Sequence, residues 1–175
     1  MKKDITVSIN PSYFCNFRCD FCYLTPEQLA DQNKIELDKL DDMLREISCY
    51  RNIDWVDLYG GEIGALKRSY LRELIEVTQK YYRDKINIIT NYSMLNDEFF
   101  RNDVYLSVSY DFEAREKHDR VWANMFQSPK PIAVLILASP KVLNMNVDSM
   151  IKQLNMCKSV ESVEIKPYSN FKPLF

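Results

Sequence analysis

Cys15, Cys19 and Cys22 form a C-x3-C-x2-C cluster within Cys15-Asn16-Phe17-Arg18-Cys19-Asp20-Phe21-Cys22. Thiolates gathered this tightly suit a soft metal centre, and iron–sulfur clusters are held by cysteine sulfur. Three sulfurs ligate only three corners of a cubane with four irons. A [4Fe–4S] cluster on this trio would keep one iron open to a ligand from outside the protein. Of the two remaining cysteines, Cys157 continues the apolar series Met150, Ile151, Leu154 and reads as a small core residue. Cys49 falls off the apolar stripe of its helix. A structural zinc site is the competing reading, and it needs Cys49 or His118 as a distant fourth ligand.

All three glycines of the chain lie in Gly60-Gly61-Glu62-Ile63-Gly64. They follow the second predicted strand, at the end where α/β sheets bind ligands. Consecutive glycines let the backbone approach a ligand closely and adopt positive φ. The carboxylate beside them offers an acceptor to an ammonium group. A plain strand-to-helix turn explains the same residues with less chemistry.

The elements that must position these motifs alternate between strand and helix patterns. Strands are predicted over 5–10, 55–59, 86–90, 104–110, 131–138 and 162–166. Thr25-Pro26-Glu27-Gln28 has the form of a capping box opening a short helix. Further helices are predicted over 38–50, around Leu71–Thr78 after a Ser69 cap, after an Asn96 cap, over 113–126 and over 147–157. Six β/α units imply a parallel sheet, open or curved into a partial barrel, in a single domain over 1–175.

The strand alternation carries a further expectation. With Ile5/Val7/Ile9, Val56/Leu58, Val104/Leu106/Val108 and Val163/Ile165 towards the helices, the opposite face is polar. Thr6, Ser8, Asn10, Asp57, Asn87, Asn91, Ser107, Ser109, Glu164 and Lys166 would line it. A closed barrel fills this face with branched apolar side chains. Solvated edge positions explain any single one of these residues equally well, and the recurrence across five strands favours a ligand cavity.

Composition narrows the classes. The 175 residues are 46% apolar and 27% charged, which describes a folded chain. A net charge of −2 supplies no overall basic field for nucleic acid. The apolar run Ile132–Ala138 is too short to span a bilayer, which excludes a membrane role for it. Met1-Lys2-Lys3-Asp4 leads directly into a strand pattern without a signal-peptide core. A reducing, cytoplasmic setting follows, in which clustered cysteines bind metal.

Cys15-x3-Cys19-x2-Cys22 after strand one, together with Gly60-Gly61-Glu62 after strand two, resembles the radical S-adenosylmethionine (radical SAM) superfamily. The resemblance covers nearly the whole chain and implies a partial (βα)6 barrel with an open lateral mouth. It implies a [4Fe–4S] cluster on Cys15, Cys19 and Cys22, with S-adenosylmethionine (AdoMet) chelating the open iron. Gly60, Gly61 and Glu62 would engage the AdoMet amino group, and Phe21 would lie near the adenine. Ser107 and Ser109 are the candidate contacts to its carboxylate or ribose. Asn91 and the backbone around Ile165 complete the expected cofactor-binding set. The implied activity is reductive cleavage of AdoMet to a 5′-deoxyadenosyl radical that abstracts hydrogen from a substrate. An electron donor such as a flavodoxin or ferredoxin is the implied partner.

Leu106-Ser107-Val108-Ser109-Tyr110-Asp111, followed by His118-Asp119-Arg120, also resembles radical SAM enzymes that modify peptides or proteins. Phe112 stands where those enzymes usually have glycine, and Ile63 where proline is common. His118 is the candidate catalytic residue, set against a structural or solvated helix start. The substrate implied is a peptide or protein. Glycyl-radical activases, deazapurine-type enzymes on small molecules, and a non-catalytic iron–sulfur or zinc module acting with a partner are the alternatives. A minimal enzyme, a fragment, and a chain that completes its site with a partner are equally compatible with this length. Tyr13, Tyr23, Tyr59, Tyr92 and Tyr168 fall near strand ends, as pocket lining or as packing.

Overall fold

The structure is a computed structural model that describes residues 2–168. Its strands are β1 (Lys3–Ile9), β2 (Arg51–Leu58), β3 (Ile86–Thr90), β4 (Val104–Ser109), β5 (Ile132–Ala138) and β6 (Val160–Pro167). All neighbours pair in parallel, in the spatial order β1-β2-β3-β4-β5-β6. Each strand hands on to the next through a crossover of one hand, so the helices collect on one face. The accumulated strand twist curls the sheet into the expected half-barrel.

The convex face holds the core. Val56, Leu58, Ile86, Ile88, Val108 and Val134 are fully buried there. They pack beneath α2 (Leu37–Tyr50), α3 (Arg68–Gln79), α4 (His118–Phe126) and α6 (Val147–Met156). Each of these helices turns an apolar stripe inward, as with Leu71, Leu74 and Ile75 of α3. On β6 the outward side chains Val163 and Ile165 stand largely exposed.

Several elements differ from the sequence expectation. The helix expected over 113–126 breaks into a 3₁₀ turn, Phe112–Ala114, and α4, which begins only at His118. Phe112 (φ 53°) and Lys117 (φ 51°) adopt left-handed backbone, and Lys117 ends any continuation from the turn. Helix α3 opens at Lys67 rather than Ser69, without a side-chain cap. A short helix, α5 (Pro140–Leu143), was not expected, although Ser139-Pro140 is a capping signal. The Thr25 box does form and opens α1 (Pro26–Ala30), and Asn96 caps a 3₁₀ turn. Strand β2 starts at Arg51, and its pairing with β1 shifts register between Ile5 and Thr6. That irregularity brings Ile53 and Val56 to the convex side together.

The concave face is polar in its middle, as the alternation implied. Asn87 donates to Asp57 (2.8 Å) and Ser107 donates to Asn87 (2.8 Å), which links β2, β3 and β4 side to side. Trp55, which stacks on Tyr105 at 6.2 Å, also donates to Asp57 (2.8 Å). No helix among the described residues is long and apolar enough to cross a membrane.

Candidate cofactor site

The loop after β1 carries the cysteines, and the turn after β2 holds that loop in place. Gly61 N–H donates to Ser12 O (2.9 Å) and Glu62 N–H donates to Phe14 O (2.7 Å). A Cβ at Gly61 would meet Phe14 O at 2.1 Å, and one at Gly60 would meet Asn10 Oδ1 at the same distance. Gly60 also has φ +148°, which side chains rarely adopt. The glycine pair therefore serves first to let two backbone segments touch. Behind the cysteines, Cys15 N–H donates to Leu29 O of α1 (3.1 Å), and Cys22 N–H closes a turn on Cys19 O (2.9 Å).

Above the concave face these segments enclose a cavity of about 420 Å³, within the range of small-molecule sites. Cys15, Cys19 and Cys22 all line it. Of the other expected residues, Phe21, Gly60, Gly61, Asn91 and Ser109 line it too. Ser107 lies one rung lower, bonded to Asn87. Ile165 points its side chain outward, while its neighbour Lys166 reaches the cavity. His118 lies outside the cavity and faces Asp119 at 3.3 Å. Tyr23, Tyr59 and Tyr168 line the cavity, Tyr92 is buried in the core, and Tyr13 is exposed. Cys157 is buried and Cys49 exposed.

Glu62 has a different position from the one its motif suggested. Its carboxylate is buried (2% exposed) and is satisfied from within the protein. Gly64 N–H (2.7 Å) and the Thr90 hydroxyl donate to one oxygen, and Asn91 N–H (2.7 Å) to the other. Burial pushes its pKa up, and these three neutral donors pull it back only in part. Thr90 and Asn91 are cavity walls, so Glu62 positions two residues that a ligand would touch. Asn91 in turn donates to Asn16 Oδ1 (2.9 Å), inside the cysteine loop.

Two of the three thiols are tuned by burial. Burial pushes Cys15 up, and pushes Cys19 up to about 11 despite a nearby arginine. As free thiols Cys15 and Cys19 would stay protonated, whereas a bound cationic metal reverses the preference and takes them as thiolates. Among the described residues, no three His, Cys, Asp or Glu side chains close on a single ion. Three soft sulfurs spread round the wall of one cavity fit a polynuclear cluster with one open corner.

Arg115 is the residue that sequence reasoning missed. Its guanidinium lines the cavity, lies 3.7 Å from Cys19 Sγ and sits 5.0 Å from the centre of the Phe21 ring. Asp111, fully buried, clamps it at 2.9 Å and 2.6 Å. The available signal was the four-residue spacing of Asp111 and Arg115, with Asp111 just before the helix expected over 113–126.

No family model matches the chain. Among curated proteins it is 28% identical over 116 residues to YydG, a putative peptide biosynthesis protein of Bacillus subtilis (strain 168). That match covers 61% of this chain and 35% of YydG. Among solved structures, anSMEcpe with bound AdoMet superposes with a TM-score of 0.74 at 16% identity, over 95% of this chain and 52% of that one. Streptococcus suis SuiB bound to S-adenosylmethionine gives 0.73 at 16% identity, over 99% and 41%. Native anSMEcpe with AdoMet and the Cp18Cys peptide gives 0.72 at 16% identity, over 94% and 51%. The chain thus spans about half the length of these structures or less, and about a third of the curated relative. The resemblance to radical SAM enzymes drawn from the two motifs is borne out in the fold.

Proposed function

We propose that this chain is the core of a radical SAM enzyme acting on a peptide or protein. The observation that carries the reading is the meeting of Cys15, Cys19, Cys22 and the Gly60–Gly61 turn on the wall of one cavity. When bound, a [4Fe–4S] cluster and AdoMet supply one-electron cleavage of the S–C5′ bond, which yields methionine and a 5′-deoxyadenosyl radical able to take a substrate hydrogen. Cys15, Cys19 and Cys22 hold the cluster. Gly60 and Gly61 present bare backbone to the amino acid end of AdoMet. Thr90 and Asn91, braced by Glu62, shape the wall beside it. Phe21 and Tyr168 offer aromatic faces for the adenine.

Ser109 and Arg115 bring a hydroxyl and a positive charge to the same cavity. Leu135 and Leu137 close it from β5 and exclude water around the reacting atoms. A peptide substrate is supported by the peptide in one anSMEcpe structure and by the description of YydG. The reading places the chain in the cytoplasm, with a flavodoxin or ferredoxin as electron donor.

The test is anaerobic iron–sulfur reconstitution followed by dithionite and AdoMet. A brown protein that releases 5′-deoxyadenosine is expected. Replacing any one of Cys15, Cys19 and Cys22 by Ala is expected to abolish both colour and release. A colourless protein that binds zinc would overturn the reading.

A further inference from the structure

The Asp111–Arg115 pair reaches the cysteine loop from the far side of the sheet, 96 residues along the chain from Cys19. Its geometry is over-determined. Asp111 Oδ1 accepts Leu137 N–H (2.6 Å) from β5, and Oδ2 accepts two N–H groups of Arg115. Asp111 is 0% exposed and the Arg115 side chain 13%, so neither charge is dispersed by water. The third guanidinium nitrogen, Nη1, is left to face Cys19 Sγ, with the Phe21 ring beneath. The segment that carries Arg115 is bracketed by Phe112 and Lys117, both left-handed. Non-glycine residues rarely adopt that conformation and persist in it only where the surroundings enforce it. Phe112 and Lys117 thus bound the short segment from which Arg115 faces the cysteine sulfur.

We propose that Arg115 is a positioning residue for the cluster that raises its reduction potential through a charge-assisted hydrogen bond to the Cys19 sulfur. The inference rests on the cluster reading above. Reduction adds one electron, from dithionite in the test, to a centre already carrying thiolate charge. Hydrogen bonds to ligand sulfur and nearby positive charge stabilise the reduced form and move the potential upward. Asp111 offsets part of that charge and fixes its direction. Arg18 and Lys117 add to the field from the outer side, where each binds a carbonyl of the cysteine loop (Cys15 O at 2.7 Å, Asn16 O at 3.2 Å). Neither of them reaches a sulfur, and the donors to Cys15 Sγ, Phe17 N–H (3.4 Å) and Asn91 Nδ2 (3.9 Å), are neutral, so among the described residues Arg115 is the charged donor to a ligand sulfur.

The test is an EPR-monitored dithionite titration of the reconstituted protein and of the variants Arg115→Met and Arg115→Gln. Methionine removes both charge and donor. Glutamine keeps comparable bulk and an amide N–H without the charge. Iron content and the circular dichroism spectrum establish that each variant is folded and loaded. The midpoint is expected to move to more negative potential in Arg115→Met, and by less in Arg115→Gln. A loaded variant that titrates at the wild-type midpoint overturns the proposal, as glutamine alone would if the methionine protein fails to load. Unchanged midpoints with loss of the spectral response to AdoMet would also overturn it, since Arg115 would then address AdoMet instead. A wild-type protein with no titratable cluster sinks the cluster reading itself, which the iron content distinguishes from a failure of Arg115 alone.

Discussion

Two glutamates of this protein are almost equally buried and titrate in opposite directions. Glu62, beside the cysteine loop, is 2% exposed, and Glu98, at the foot of α3, is 3% exposed. Around Glu62 stand only neutral donors: two backbone N–H groups and a threonine hydroxyl. Around Glu98 stand Arg68 (3.0 Å), Arg72 (2.9 Å) and Arg101 (3.4 Å). Burial alone raises both pKa values. At Glu98 the arginines outweigh it and hold the carboxyl below its usual range, whereas at Glu62 nothing cationic is near enough to do so. Low solvent exposure therefore does not by itself decide ionisation: Glu62 lies deep in the protein among neutral donors, whereas Glu98 lies near the surface among arginines. The arginine knot ties α3 to the turn before β4, far from the cavity. The neutral cage joins the glycine turn to β3, and the positive charge that acts on it, Arg115, offsets only part of the burial.

The comparison breaks most sharply on removal of each carboxylate. Glu62→Ala orphans two buried backbone donors that water cannot reach, at about 1–3 kcal/mol each. A fall in Tm on the order of 10 °C is expected, together with poorer iron loading, because Asn91 loses its brace. Calorimetry and iron content check it. Glu98→Ala is expected to cost less, about 1.5–3 kcal/mol, since Arg68 and Arg72 are half exposed and turn to solvent. Its iron loading should equal wild type, and reduced loading would mean that the two regions are not independent.

The smallest effect is in the pH dependence of stability. Glu98 has a lowered folded pKa, so its contribution is present above its unfolded value of about 4.3 and is lost as pH falls through the folded one. Glu62 has a raised folded pKa, so its contribution is present below about 4.3 and is lost as pH rises through the folded one. Urea midpoints across pH 3–7, taken as differences from wild type, should slope in opposite senses for the two Ala variants. Parallel slopes would refute the assignment.

Much of the fold was legible because it rests on local periodicity. Alternation in Ile5–Asn10 and Val104–Ser109, and the Leu71/Leu74/Ile75 stripe, report which side of an element is apolar, and neighbouring residues decide that. The same reasoning failed at 113–126. Apolar spacing there suits a helix, yet the left-handed Phe112 and Lys117 interrupt it. Phe112 occupies the place where glycine was expected and takes a glycine-like φ of 53°, with its ring packed on Tyr110 at 5.0 Å. Tertiary packing there overrode local preference.

By itself the sequence determined the chemical inventory: three sulfurs at cluster spacing, a glycine pair one strand later, and strands polar on one side. These are short-range facts, written in residues within a few positions of one another. Only the tertiary structure decided that Glu62 turns inward to brace Thr90 and Asn91, that Ser107 sits a rung below the cavity, and that Arg115 meets Cys19. Those outcomes depend on which strand ends the crossovers bring together and on how deeply each side chain is buried, and no local pattern encodes either.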